Sequence, residues 1–177
     1  MKNKNDIFIV LITLALGVSA RLLPHPANFA PIGALAIFGG VYLPKRIALL
    51  LPLSAMFLSD MIIGFYNPAI MISVYLGFII MGLIGLIIRK KRRLSRIIGG
   101  TMLGSIIFFL ITNAAVWLFG TMYAHNLNGL VQSYVMAIPF FKNSLFADLF
   151  YICILAGIYE TGTYYAKKTS LLSKEIV

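Results

Sequence analysis

Thirteen of the fifteen Lys and Arg residues of this chain sit in four clusters, separated by stretches that carry almost no charge. The clusters are Lys2/Lys4, Lys45-Arg46, Arg89-Lys90-Lys91-Arg92-Arg93 with Arg96, and Lys167-Lys168-Lys174. Each intervening stretch is long enough to cross a bilayer and return, at ~20 apolar residues per helical crossing. Short loops rich in Lys and Arg stay on the cytoplasmic side. The pattern therefore dictates an even number of crossings between consecutive clusters, with the N and C termini both cytoplasmic. Only Arg21 and Lys142 lie outside it.

Composition points the same way. Charged residues make up 11% of the chain, against about 25% in a soluble domain, and the mean hydropathy is +0.95. An all-α integral membrane protein is expected, with residues 1–177 forming a single transmembrane domain. The net charge of +10 sits in loops beside apolar segments. It sets orientation and meets lipid headgroups rather than nucleic acid. The lone Cys153 excludes a disulfide framework or a cysteine metal cluster. Lys2/Lys4, the apolar run from Ile7 and Val18-Ser19-Ala20 loosely fit a signal peptide. The run continues through Leu22-Leu23, so a retained first helix is expected.

Six crossings follow. Segment one runs from about Asp6 to Leu23, and a loop with three prolines, Pro24 to Pro31, comes next. Segment two, Pro31 to Leu43, spans only ~20 Å at 1.5 Å per residue. That is short of a ~30 Å hydrocarbon core, so it thins the bilayer or is re-entrant; the charge pattern favours a crossing. Segments three (Arg46 to about Gly64), four (Ala69 to Ile88) and five (Ile97 to Phe119) are plain spans. The mixed stretch Gly120 to Phe141 reads as a long outer loop with one interfacial amphipathic helix. Segment six runs from Asn143 to about Ala166.

Ionisable groups inside spans are costly and mark pairs or functional sites. Arg21, Asp60, Asn113 and Asp148 come from four different segments, and counting residues puts all four in the outer third. The outward loops add His25, Asn28, Tyr66, Tyr123, His125 and Tyr134 at about that level. An ordinary reading is an ion pair of Arg21 with Asp60 or Asp148, and an aromatic belt for Tyr66, Trp117 and Tyr123. The convergence of four helices adds to that an outward-opening pocket for a small, flat, polar molecule. Asp148, Tyr151, Leu155 and Tyr159 share one helix face. Glu160, on another face near the cytoplasmic end, is expected to pair with a basic-loop residue or a partner protein.

Several chemistries find no motif. There is no phosphate-binding loop with Lys-Ser/Thr, no His-Glu-x-x-His and no Gly-x-Ser-x-Gly. The spacing of His25, His125, Asp60 and Asp148 does not support a metal site, and no cofactor is expected. Asp60 and Asp148 are candidates for an acid–base pair, although their neighbours name no reaction class.

Arg21-Leu-Leu-Pro-His-Pro-Ala-Asn-Phe-Ala-Pro-Ile-Gly-Ala, Phe38-Gly-Gly, Ser59-Asp60 with Gly64, Val74-Tyr75, Thr112-Asn113 with Trp117, Gly129-Leu130 and Ala137-Ile138-Pro139-Phe140-Phe141 resemble a family of bacterial putative transport proteins, DUF6580. That family in turn resembles the substrate-binding S components of energy-coupling factor (ECF) vitamin importers. The resemblance covers nearly the whole chain and is most specific in the first loop. It implies a six-helix bundle in the bacterial cytoplasmic (inner) membrane, an outward pocket capped by that loop, and docking on a T component with two ATPase subunits. S components meet the T component through small residues of the first helix; the nearest feature is Ala15-x-x-x-Ser19. The Met-His start of nickel and cobalt relatives is replaced here by Met1-Lys2-Asn3.

The combined expectation is a non-enzymatic, solute-binding membrane subunit of an importer for a vitamin-like micronutrient. Arg21 would orient or pair with an anionic group. Asn28, Asn113 and Asp148 would supply hydrogen bonds, and Phe29, Trp117 and Tyr123 the walls, with His25 and Tyr134 nearby. Asp60 is expected to anchor the fold through Arg21. The rivals are a stand-alone carrier, an intramembrane enzyme working through Asp60 and Asp148, and a structural subunit without a ligand.

Overall fold

A computed structural model describes residues 4–175. Met1, Lys2 and Asn3, which hold part of the first basic cluster and the N-terminal start, lie outside the described residues. Six helices follow in order: α1 (Lys4–Leu22), α2 (Ile32–Tyr42), α3 (Lys45–Ile63), α4 (Pro68–Ile88), α5 (Leu94–Phe119) and α6 (Leu127–Glu175). A short 3-10 turn, Arg89–Lys91, links α4 to α5. No strand occurs among the described residues. Helices α3, α4 with its 3-10 extension, α5 and α6 are each long and apolar enough to cross a bilayer.

Helix directions alternate. Phe108 of α5 lies over Gly77 of α4, and Ile88 near the end of α4 lies over Gly100 near the start of α5, so these two run antiparallel. Asp148 of α6 meets Ser105 of α5, and Glu160 further along α6 meets Arg92 just before α5. The outer faces carry large apolar side chains, such as Ile87, 73% exposed, and Ile158, 69% exposed. A water-facing surface rarely tolerates apolar coverage on that scale, whereas lipid contact favours it.

Helix α2 is the core. Every residue from Ile32 to Val41 is buried, which its uniformly apolar and small-residue sequence allows. It packs on α3, α4, α5 and α6. At 11 residues it spans only ~16 Å, so it occupies the half of the bundle nearest the basic clusters. Its C-terminal end leaves carbonyl capacity unused, although Leu43 N still donates to Gly39 O at 3.0 Å. Arg89 takes up that capacity: Nε donates to Gly40 O at 2.8 Å, and Nη2 donates to Gly39 O and Leu43 O. A cation suits that end of the helix dipole.

Local chemistry sets the other ends. Pro68 sits in the first turn of α4, and Asn67 caps it, its Oδ1 accepting from Ala69 N at 2.9 Å. Asn67 Nδ2 also donates to Phe119 O at 2.9 Å, tying the α3–α4 turn to the end of α5. Asn28, with φ of 61°, takes the left-handed position in the turn closed by Phe29 N to Pro26 O. Asn tolerates that region; a β-branched residue does not.

The stretch Gly120 to Phe141 differs from its sequence reading. Only residues 120–126 form a loop, and 127–141 are the first part of a continuous α6 that runs through Pro139. Asn126 Oδ1 starts that helix by accepting from Gly129 N at 2.9 Å. Two of the polar residues that suggest an interfacial helix are spent internally. Ser133, 1% exposed, donates to Leu130 O, and Tyr134 OH donates to Leu110 O of α5. Pro139 costs the helix one hydrogen bond, and α6 continues through it.

Glu160 pairs with a basic-loop residue, as its position suggests: Arg92 Nε lies 3.1 Å from Glu160 Oε1. Both side chains are more than two-fifths exposed, and exposed pairs contribute under about 1 kcal/mol. Glu160→Gln is therefore expected to leave the thermal unfolding midpoint in detergent nearly unchanged; a large drop would mark this pair as a structural tie.

A cavity among the helices

Two buried carboxylates organise the interior, and they are handled differently. Asp60 of α3 is 1% exposed, and Arg21 Nη1 of α1 sits 2.8 Å from its Oδ1. Tyr75 OH of α4 donates to its Oδ2 at 3.0 Å. Arg21 Nη1 also donates to Ser59 Oγ at 2.7 Å. The pair therefore ties α1, α3 and α4 together with its hydrogen-bonding capacity largely used. Of the two partners open to Arg21, the structure selects Asp60.

Asp148 of α6 is 6% exposed and has no cationic partner among the described residues. Its Oδ1 accepts from Ala34 N at 3.0 Å, and its Oδ2 from Ser105 Oγ at 2.7 Å. Ala34 lies in the first turn of α2, whose flanking Pro31 offers no side-chain cap. Asp148 thus caps α2 from another helix, its carboxyl oxygen accepting at the positive end of the dipole. Gly33 makes this possible, because a Cβ there would fall on the carboxylate itself. Gly33→Ala is expected to displace Asp148 and cost about 1–3 kcal/mol, read as a lower unfolding midpoint in detergent.

Ser105 lies 11 residues from the start of α5 and 14 from its end, counting between Leu94 and Phe119. Asp148 and the start of α2 are therefore near mid-height rather than in the outer third. The shift follows from the earlier start of α6, which puts Asp148 well inside a long helix.

Above Asp148 opens a cavity of about 450 Å³ that all six helices help to line. Its floor is Asp148, Ser105 and Gly33. Its walls are largely aromatic: Phe78, Phe108, Phe109, Phe140 and Phe141. Phe78 packs on Phe108 at 4.7 Å between ring centroids, and Phe109 on Phe141 at 4.6 Å. Arg21, Thr112, Asn113 and Ser144 add polar groups, and the loop residues Asn28 and Tyr66, both exposed, lie at the rim. Partial burial raises the Tyr66 phenol above its ordinary pKa, and the Asp60 carboxylate adds to this, so the rim carries a neutral hydroxyl. The first loop is pinned over α6: Asn143 Nδ2 donates to Ala27 O at 2.9 Å, and Phe29 packs on Phe150 and Tyr151.

Of the residues singled out from sequence, Arg21, Asn28, Tyr66, Asn113 and Asp148 line the cavity. Asp60 and His125 do not, and neither do five of the residues named for the ligand. His25 is exposed and contacts Pro26 O; Phe29 packs on α6; Trp117 Nε1 donates to Ala124 O. Tyr134 spends its hydroxyl on Leu110 O, and Tyr123 lies half-buried in the α5–α6 loop. Ser105, Phe78, Phe108 and Phe109 carry no signal in the sequence reading, and Thr112, Phe140 and Phe141 enter it only as part of the family's motifs. Among the described residues, no three His, Cys, Asp or Glu side chains group closely enough to hold a metal ion.

An all-helical bundle with four bilayer-length apolar helices and an internal, polar-floored cavity defines the class of protein. The chain belongs to the family of unknown function DUF6580, whose model matches residues 1–170. No curated protein and no solved structure matches it.

Proposed function

We propose that the chain is a membrane-embedded solute-binding subunit of an importer for a small, vitamin-like nutrient, with both termini in the cytoplasm and the cavity opening outward. The observation that carries this reading is the cavity itself: ~450 Å³, within the range of small-molecule sites, with a polar floor, aromatic walls and exposed residues at the rim. The basic clusters at Lys45-Arg46 and Arg89–Arg96 lie at the end opposite that rim, which suits a cytoplasmic face. Ala15 and Ser19 are exposed on α1, where a T component of an energy-coupling factor module would dock. Arg21–Asp60 serves the fold, and Asp148 the ligand.

The enzyme alternative needs Asp60 and Asp148 to act on one substrate. Asp60 is held by Arg21 and Tyr75 and is not part of the cavity lining, so that alternative gains no support. A stand-alone carrier would use the same cavity without an ATPase.

The test is native mass spectrometry of the protein released gently from its own membranes. A retained small molecule of defined mass, together with T-component and ATPase subunits, is the expected result. Repeated preparations without any bound solute would argue against a high-affinity binding subunit.

A further inference from the structure

Resting on that reading of the cavity as a solute site, we infer that its ligand is a flat organic cation, an amidinium, ammonium or protonated heteroaromatic ring, whose charge is held by Asp148. The ionic balance of the cavity points there. Among the described residues Arg21 is the one cation lining it, and that guanidinium is already matched by Asp60 at 2.8 Å. Asp148 remains, nine-tenths buried at the floor, receiving hydrogen bonds only from the neutral donors Ala34 N and Ser105 Oγ. Two neutral donors and a helix N-terminus soften the cost of a buried carboxylate, and a bound cation offsets more of it.

The walls suit the same ligand. Phe78 with Phe108, and Phe109 with Phe141, form two ring pairs, and Tyr66 stands at the rim. Aromatic faces attract a desolvated cation and stack on a planar body. An anion would gain nothing from these faces and would be repelled by Asp148. The volume, about 450 Å³, is that of a small-molecule site and limits the solute to a small one.

Asp148→Asn is a suitable variant because it keeps the fold's contacts. Its amide oxygen still accepts from Ala34 N, and its NH2 donates to Ser105 Oγ, which then donates to Thr101 O, now 3.0 Å away. Three planar probes of matched size separate the charge states: benzamidine as cation, benzamide as neutral, benzoate as anion. Each is titrated against the full-length protein in detergent, with binding read by ligand-observed NMR and by the shift in unfolding midpoint. Benzamidine is expected to bind about tenfold or more tightly than the other two, and to lose that advantage in Asp148→Asn. Equal binding of all three, preference for benzoate, no binding of benzamidine, or benzamidine binding unchanged in a folded Asp148→Asn protein each overturns the inference. The two readings fail separately. A neutral or anionic molecule retained in native mass spectrometry would sink the cation while leaving the importer. Asp148-dependent benzamidine binding by a protein that supports no uptake would do the reverse.

Discussion

Arg21→Met is expected to destabilise the bundle by about 3–5 kcal/mol, because it strands a buried carboxylate. Asp60 is 1% exposed and would keep only the Tyr75 hydroxyl at 3.0 Å. Ser59 would lose the donor that now reaches its Oγ at 2.7 Å. Removing both charges should differ from removing one. In Arg21→Met/Asp60→Leu the apolar pair fills the same space with no charge left unpaired, although Tyr75 OH loses its acceptor, and replacing a buried ion pair in this way is often neutral or stabilising. Unfolding of the two single variants, the double variant and the parent in one detergent gives the coupling between the sites. A single variant as stable as the parent would show that the pair does not hold α1 to α3. A double variant as unstable as the worse single one would show that the charges do more than satisfy each other.

That pair was legible because a charged residue in an apolar stretch announces itself. Arg21, Asp60 and Asp148 stand out from the sequence for that reason, and so does Glu160, whose position points to a basic-loop residue or a partner protein; the structure pairs it with Arg92 of that loop. Counting residues gives height along a helix but not the direction a side chain faces. Trp117, Tyr134 and His25 were grouped with the pocket by height alone, yet each makes its polar contact with a backbone carbonyl outside it. The opposite error hid Ser105, since a lone Ser in a span ordinarily bonds back to its own helix, and Thr101 O lies 3.0 Å from Ser105 Oγ as that alternative acceptor. Phenylalanines facing a cavity and facing lipid look alike in one dimension. The start of α6 was hidden because Ser133 and Tyr134 satisfy their hydroxyls against backbone, so a polar sequence came to occupy a packed helix.

Gly85→Leu is expected to have the other large effect, beyond the ~1–3 kcal/mol usual for overpacking. The reason lies in what opposes it. A Cβ on Gly85 would lie 2.6 Å from Ile37 O and 2.8 Å from Gly40 Cα, and one on Gly40 would lie 2.6 Å from Gly85 Cα. These are backbone atoms of α2 and α4 in direct contact, the close approach that small residues allow between helices in a membrane. A side chain that meets a flexible neighbour can push it aside, but here an entire helix must move. Helix α2 has little freedom to do so, because Arg89 holds its last carbonyls and Asp148 its first turn. Displacing one end therefore disturbs the other, so the cavity floor should suffer along with stability. Gly157→Ala provides the contrast, since nothing lies within 4 Å of a Cβ at that position. That change should be neutral or gain up to about 1 kcal/mol of helix propensity. Monodispersity and unfolding midpoint of Gly85→Ala, Gly85→Leu and Gly157→Ala in detergent read the series. A stable, monodisperse Gly85→Leu protein would mean that α2 and α4 do not pack backbone to backbone, and the placement of Asp148 over the start of α2 would lose its foundation.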